Sequence, residues 1–401
     1  MLARMATLTV AVAVALLPLL RPDGPGNSAP VDLAIIVAVG TTLLAVIAAR
    51  APVRLPYVIP VGMLIVAGGT AALLHEATTT AVVALGQDLL VFLFAAAIVN
   101  ACRTPAEIGA VLRTWSLSAM LWAGVMVFAV AVGDDGLAGV TARTGSRAAL
   151  TFGDANLAAS YFVISLLVIA AARTPRRRLL RWGAYGLLGV AILLTGSLGG
   201  MLSLALALGV LAVRALARRF GAMAALAIVL LAGPVVLVGI RGAYDALTHG
   251  AQDPNSALHD SFGRVGTSSE GHDQILSEDV HLLANASLFG EGPTSTKDVL
   301  AREQLSYIKE AHNDYLGTAI ERGGLGVLAL VLLVGSLAMR GRRALARADQ
   351  PAMVASVPAV PALVAALVAV ACTGMFYEVL HFRHVWALFG IVAAIALVRE
   401  P

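Results

Sequence analysis

The feature that most constrains this chain is a succession of long apolar runs. They fall near residues 5–20, 31–49, 56–74, 84–101, 117–133, 155–172, 182–197, 199–213, 221–240, 313–338, 352–373 and 383–398. Crossing a bilayer's hydrocarbon core takes about 20 helical residues, close to the length of most of these runs. Lipid offers no water to satisfy backbone amides and carbonyls, so a spanning chain must be helical or closed into a barrel. A barrel needs short segments of alternating polarity, whereas these runs are continuous. Hydrophobic residues make up 59 % of the chain and charged residues 13 %. The expected fold is therefore all-α: a polytopic membrane protein with about twelve transmembrane helices and one long, partly helical loop over residues 241–311. Aromatic residues are only 5 % of the chain, so close packing should rest on small side chains. No cleavage site follows the first run, which reads as a retained span.

Loop charge sets the expected orientation. Alternate loops carry Arg50 and Arg54; Arg103 and Arg113; Arg173, Arg176, Arg177, Arg178 and Arg181; Arg214, Arg218 and Arg219; and Arg340, Arg342, Arg343 and Arg347. Glu107 and Asp349 are the acids that share those loops. The intervening loops hold Asp23, Glu76, Asp134 and Asp135, and then the long loop. Arginine-rich loops stay in the cytoplasm. Both termini are thus expected inside and the long loop outside; the Ala, Gly and Arg bias suggests a GC-rich bacterial source, and so a bacterial cytoplasmic (inner) membrane. Cys102 and Cys372 fall on opposite sides in this topology, which argues against a disulfide between them.

The long loop carries Arg241, Arg264, Lys297, Arg302 and Lys309 against more than twice as many acids. It is therefore no general polyanion surface, and a basic pI of about 9.3 reflects orientation rather than nucleic-acid binding. Residues 251–271 are rich in Gly, Ser, Asp and Asn and should lack regular structure. Ile275, Leu276, Val280, Leu282 and Leu283 are spaced to line one helix, and Val299, Leu300, Leu305 and Ile308 a second. A glycine turn, Leu288-Phe289-Gly290-Glu291-Gly292-Pro293, lies between them.

Chemistry concentrates near the ends of the spans. His312 precedes a span, followed by Asn313, Asp314 and Tyr315. An imidazole titrates near neutrality and can take a proton from a hydroxyl; an interfacial histidine beside a helix cap has the same sequence appearance. Arg143 and Arg147 precede Asp154 and Asn156, either of which suits a helix cap. Those arginines match the oxygens of a lipid phosphate. Arg383, with His381 and His384, opens the last span. Arg322, Glu321 and Asp88 are embedded in spans, where ionised groups need a cavity or a partner. The histidines His249, His259, His272 and His281 form no metal-ligand pattern, and no phosphate-binding glycine loop is present. No metal and no cofactor is expected.

These residues, in this order, resemble the bacterial O-antigen ligase and O-antigen polymerase superfamily. The resemblance runs from about Arg143 to the last span and divides the chain into an N-terminal transmembrane region, 1–142, and a ligase-like region, 143–401. It rests on the glycine turn at 288–292, Ala311-His312-Asn313-Asp314-Tyr315-Leu316, Glu321-Arg322-Gly323-Gly324-Leu325-Gly326, the stretch from Arg147 to Asn156, and Phe382-Arg383-His384-Val385-Trp386. It implies an inverting, metal-independent glycosyl transfer at the outer face of the membrane. The donor would be a polyprenyl-diphosphate-linked glycan, and the acceptor a hydroxyl on a glycan, lipid or cell-envelope component. His312 would be the catalytic base. Arg147, or Arg143, would hold the donor diphosphate. Asn156, Arg264, His272, Arg302, Asn313, Tyr315, Arg322 and Arg383 would complete the substrate-binding set.

Two departures stand out. Where the family usually has Thr-x-Ser-Arg-Gly, this chain reads Thr195-Gly196-Ser197-Leu198-Gly199. Where it often has an arginine near the first loop helix, His272 stands, with Arg264 eight residues earlier. A polymerase that joins lipid-linked repeats uses the same donor, and a lipid or solute transporter would suit the span count alone.

Overall fold

A computed structural model describes residues 1–20, 29–75, 78–141, 147–225, 227, 277–296 and 313–398. His312, Arg143, Arg264, His272 and Arg302 lie outside the described residues, as do most of the 221–240 run and the two ends of the long loop.

The described residues form a helical bundle: α1 (Leu2–Ala15), α2 (Pro30–Ala48), α3 (Val58–Leu74), α4 (Thr79–Ala101), α5 (Pro105–Val132), a single turn α6 (Asp135–Ala138), α7 (Ala155–Ala172), α8 (Arg178–Leu194), α9 (Leu198–Phe220), α10 (Asp314–Ala346), α11 (Pro351–Ser356), α12 (Val360–Thr373) and α13 (Arg383–Leu397). Six of these, α2, α4, α5, α7, α9 and α10, are long and apolar enough to cross a membrane, and α1, α3, α12 and α13 are shorter apolar helices. Their bounds follow local chemistry. Thr104 and Glu107 close a reciprocal cap at the start of α5, behind Pro105, which satisfies first-turn amides. Asp154 caps α7 by accepting from Asn156 N at 2.7 Å and Leu157 N at 3.2 Å.

One apolar run is divided. The 352–373 stretch, read from sequence as a single span, breaks into α11 and α12 at residues 357–359. Pro358 has no amide to donate and forces its predecessor out of helical geometry. The amide of Ala359 instead donates to Ala171 O at the end of α7, at 3.0 Å.

α7 and α13 are the most enclosed helices. Gly390 lets α13 lie against α4, since a Cβ there would stand 3.0 Å from the Ala95 backbone. Such contact is how helices associate where lipid removes the hydrophobic drive between them. Some buried polar side chains pair across the bundle: Trp115 Nε1 donates to Ser165 Oγ at 2.8 Å, and Ser160 Oγ meets His384 Nε2 at 3.1 Å.

The arginine-bearing ends gather at one end of the bundle. Arg54 Nη1 donates to Leu397 O at 3.4 Å, and Arg347 Nη1 to Ile395 O at 3.3 Å and also to Val398 O. The last carbonyls of α13 thus receive cations from two separate loops, as a helix C-terminus favours.

Candidate functional site

At the other end of the bundle, the quoted motifs meet around residues 374–382, the connection between α12 and α13. Asn313 caps α10, accepting from Tyr315 N at 2.9 Å and Leu316 N at 3.2 Å. Its Nδ2 donates to Met375 O at 3.2 Å. Tyr315 Oη donates to Ala371 O at 2.9 Å. Asp314 does most of the fastening. Its amide donates to Gly374 O at 2.9 Å, and its buried carboxylate accepts from Val379 N at 3.0 Å and Leu380 N at 3.3 Å. A Cβ at Gly374 would stand 2.9 Å from that carboxylate. Asn313 and Asp314 therefore bind the start of α10 to this short connection, and Tyr315 binds it to the last turn of α12. Sequence reasoning assigned Asn313 and Tyr315 to substrate and gave Asp314 no role. A carboxylate directly after a helix-capping asparagine at a span end was the available signal.

The upstream motif is brought to the 195–199 turn. Arg147 Nε donates to Thr195 O at 2.7 Å and Nη2 to Asn156 Oδ1 at 2.8 Å. Ser197 Oγ donates to the same Asn156 oxygen at 2.9 Å and accepts from Gly200 N at 3.2 Å. Thr195 and Ser197 are buried. The Thr195 carbonyl and the Asn156 amide oxygen are neutral groups that aim the guanidinium. This turn touches the same connection, because a Cβ at Gly199 would lie 3.4 Å from Phe376.

The glycine turn docks on a break in α10. Gly323 has φ 61° and ψ −161°, which interrupts the helix and leaves carbonyls of the preceding turn without intrahelical donors. Glu291 N donates to Ile320 O at 2.9 Å, Gly292 N to Glu321 O at 3.0 Å, and Gly324 N returns a bond to Leu288 O at 2.9 Å. The approach is backbone to backbone. A Cβ at Gly290, itself at φ +85°, would sit 2.5 Å from Glu321 O, so glycine is required there. The Glu321 side chain accepts from Thr296 Oγ1 at 3.0 Å. Two motifs separated by about thirty residues are thus one structural unit.

Arg322 and Arg383 are held by carboxylates. Arg322 Nη2 meets Asp88 Oδ2 at 2.6 Å, and its Nη1 donates to Leu64 O at 3.2 Å, tying α10 to α4 and α3. Arg383 and Asp32 form a two-bond fork: Nε to Oδ1 at 2.9 Å and Nη2 to Oδ2 at 3.0 Å, with both side chains 7 % exposed. Asp32 also accepts from Ala29 N at 2.9 Å. The expectation that Arg383 binds substrate meets a guanidinium already matched by a buried carboxylate; its geometry is that of a strut between α2 and α13. Asp32 went unnoticed in the sequence, although a lone acid inside an apolar run is a standing signal for a buried partner.

His381 and Asp279, both outside the spans, are displaced from their ordinary ranges. Burial, and then the neighbouring Arg383, lower the His381 imidazole to about 4, so it is neutral at physiological pH. Burial, and then Glu278 beside it, raise the Asp279 carboxyl to about 7. The folded state therefore favours protonated Asp279, and that stabilisation is lost as pH climbs from the ordinary carboxylate range through 7.

These features define a polytopic helical membrane protein whose motifs converge at one end of the bundle. Residues 183–331 match the family model described as O-antigen ligase, and the likeness to the O-antigen ligase-like superfamily holds over that region. It takes in α8, α9, the 195–199 turn, the docked glycine segment, Asn313, Tyr315 and the kink of α10. None of the curated proteins compared matches the chain.

Proposed function

We propose that the protein carries out O-antigen ligase-type glycosyl transfer: an inverting, metal-independent transfer of a polyprenyl-diphosphate-linked glycan to an acceptor hydroxyl at the outer face of the membrane. The reading is supported by one observation above the rest. Within a chain whose residues 183–331 match the O-antigen ligase family, Asn313 and Asp314 are hydrogen-bonded to the 374–382 connection, and the 195–199 turn that receives Arg147 passes beside Phe376 of that connection.

In this mechanism the acceptor oxygen attacks the anomeric carbon opposite the diphosphate. The carbon–oxygen bond to the diphosphate breaks as the new glycosidic bond forms, which inverts the centre. The hydroxyl proton passes to neutral His312. The polyprenyl diphosphate leaves with its electron pair, and Arg147 stabilises the charge that develops on it. Asn156 and Thr195 hold the Arg147 guanidinium in a fixed direction, so little reorganisation is needed as that charge grows. Asn313, Asp314 and Tyr315 fix the α10 terminus that immediately follows His312 in sequence. Arg322 remains a candidate for the donor's charge only through the Asp88 pair it already makes. Arg143, Arg264, His272 and Arg302 keep their proposed substrate-binding roles from the resemblance alone.

The test is mass analysis of lipid-linked and transferred glycans after deletion and rescue with wild type or His312→Ala. The variant should insert normally and leave glycan on the polyprenyl carrier, with transfer reduced by about 10² to 10⁴-fold, the usual worth of a positioned general base. Undiminished transfer by correctly inserted His312→Ala protein would refute the role. A product ladder growing on the polyprenyl diphosphate would identify a polymerase instead.

A further inference from the structure

A recess of about 630 Å³ opens far from these motifs, where α9 faces the end of α10 and the start of α12, with Ala205, Gly209, Val210, Arg214, Leu345 and Val364 among its walls. It lies toward the arginine-rich end, since Arg214 and Leu345 stand near the ends of α9 and α10 that carry Arg218, Arg219 and Arg343. Apart from Arg214 the described residues of its walls are uncharged. Among the described residues Arg214 makes no hydrogen bond or ion pair, and its Nε is buried without an acceptor. One turn further along, Arg218 is matched by Asp349 at 2.9 Å. Among the described residues, a counter-ion stands beside Arg218 and none beside Arg214.

We infer that this recess is a binding site for one anionic phospholipid of the adjoining leaflet. An acyl chain occupies the apolar groove between α9 and α12, and the phosphate accepts from Arg214. An unpaired guanidinium at the edge of a bilayer is costly until it reaches a phosphate, and its fork of donors matches phosphate oxygens. A zwitterionic head would bring a cation toward Arg214 and the neighbouring arginines, so the site selects a net negative lipid. The inference is independent of the glycosyl-transfer reading, because it uses no residue assigned to that reaction.

The test uses the full-length protein in mild detergent, with lipid retention read by native mass spectrometry after adding phosphatidylglycerol, phosphatidylcholine or inorganic phosphate. Wild type should retain one phosphatidylglycerol in preference to phosphatidylcholine by about fivefold or more, near the worth of one arginine at an anionic surface. Arg214→Gln should remove that preference, and Arg214→Lys should keep part of it. Gly209→Leu fills the groove without touching Arg214. A Cβ at Gly209 meets nothing within 4 Å, so this variant should fold and lose the lipid. Equal retention of the two lipids by wild type would overturn the proposal. So would unchanged phosphatidylglycerol retention in Gly209→Leu, or displacement of the lipid by inorganic phosphate, which would mark a bare anion site.

Discussion

The two ends of the bundle use arginine in opposite ways. At the arginine-rich end, guanidinium groups collect backbone carbonyls. Arg54 and Arg347 cap α13, Arg103 donates to Asn100 O and Pro52 O, and Arg181 gathers the Arg173, Pro175 and Arg176 carbonyls. Toward the motif-bearing end, Arg383 and Arg322 face carboxylates of helices distant in sequence, and Arg147 faces the side-chain amide of Asn156, nine residues on. The first arrangement gathers carbonyls at partly solvated helix ends, so each contact replaces one made with water. The second is enclosed, so each charge depends on its partner. The same side chain closes helix ends in one region and sets the relative position of helices in the other.

Three substitutions probe this contrast. Asp32→Ala should have the largest effect, lowering stability by about 3 to 5 kcal/mol because it strands Arg383 inside the bundle. Thermal unfolding in detergent reads the loss, and the double variant Asp32→Leu with Arg383→Met should recover most of it. Full stability in the single variant would erase the distinction between the two ends. Arg347→Met removes two carbonyl caps at the C-terminus of α13 and should cost about 1 to 2 kcal/mol, since water can reach part of the vacated site. Arg218→Gln breaks an exposed pair with Asp349, whose side chains are 56 % and 77 % exposed. It should change stability by about 1 kcal/mol or less, and raised salt should shrink the difference further.

The sequence made some of this legible and concealed the rest for physical reasons. Continuous apolar runs announce membrane helices because lipid leaves the backbone few alternatives, and the runs at 31–49, 155–172 and 383–398 correspond closely to α2, α7 and α13. Pro358 carried a readable warning against one unbroken span, which run length alone overrode. Polar groups such as Asp88 and Arg322 were visible as costly, but their pairing was not. A charge inside a span demands some partner, and only the packing of α3, α4 and α10 decides which. The glycine pattern at 288–292 read as a turn; that it would replace hydrogen bonds missing from another helix follows from the break at Gly323, which propensity cannot supply. Asn156 read equally as cap or ligand until Asp154 took the cap.

That docked turn has a mechanical meaning. The carbonyls of Ile320 and Glu321 are answered by amides from residues 291 and 292, and Gly324 gives its own amide back. Straightening α10 through Gly323 would reclaim Gly324 for the helix and cast off the turn, while pulling the turn away would strip the bent helix of its surrogate donors. Bend and clasp are consequently one latch, so any force on the extramembrane segment is delivered to the axis of α10 at the level of Arg322.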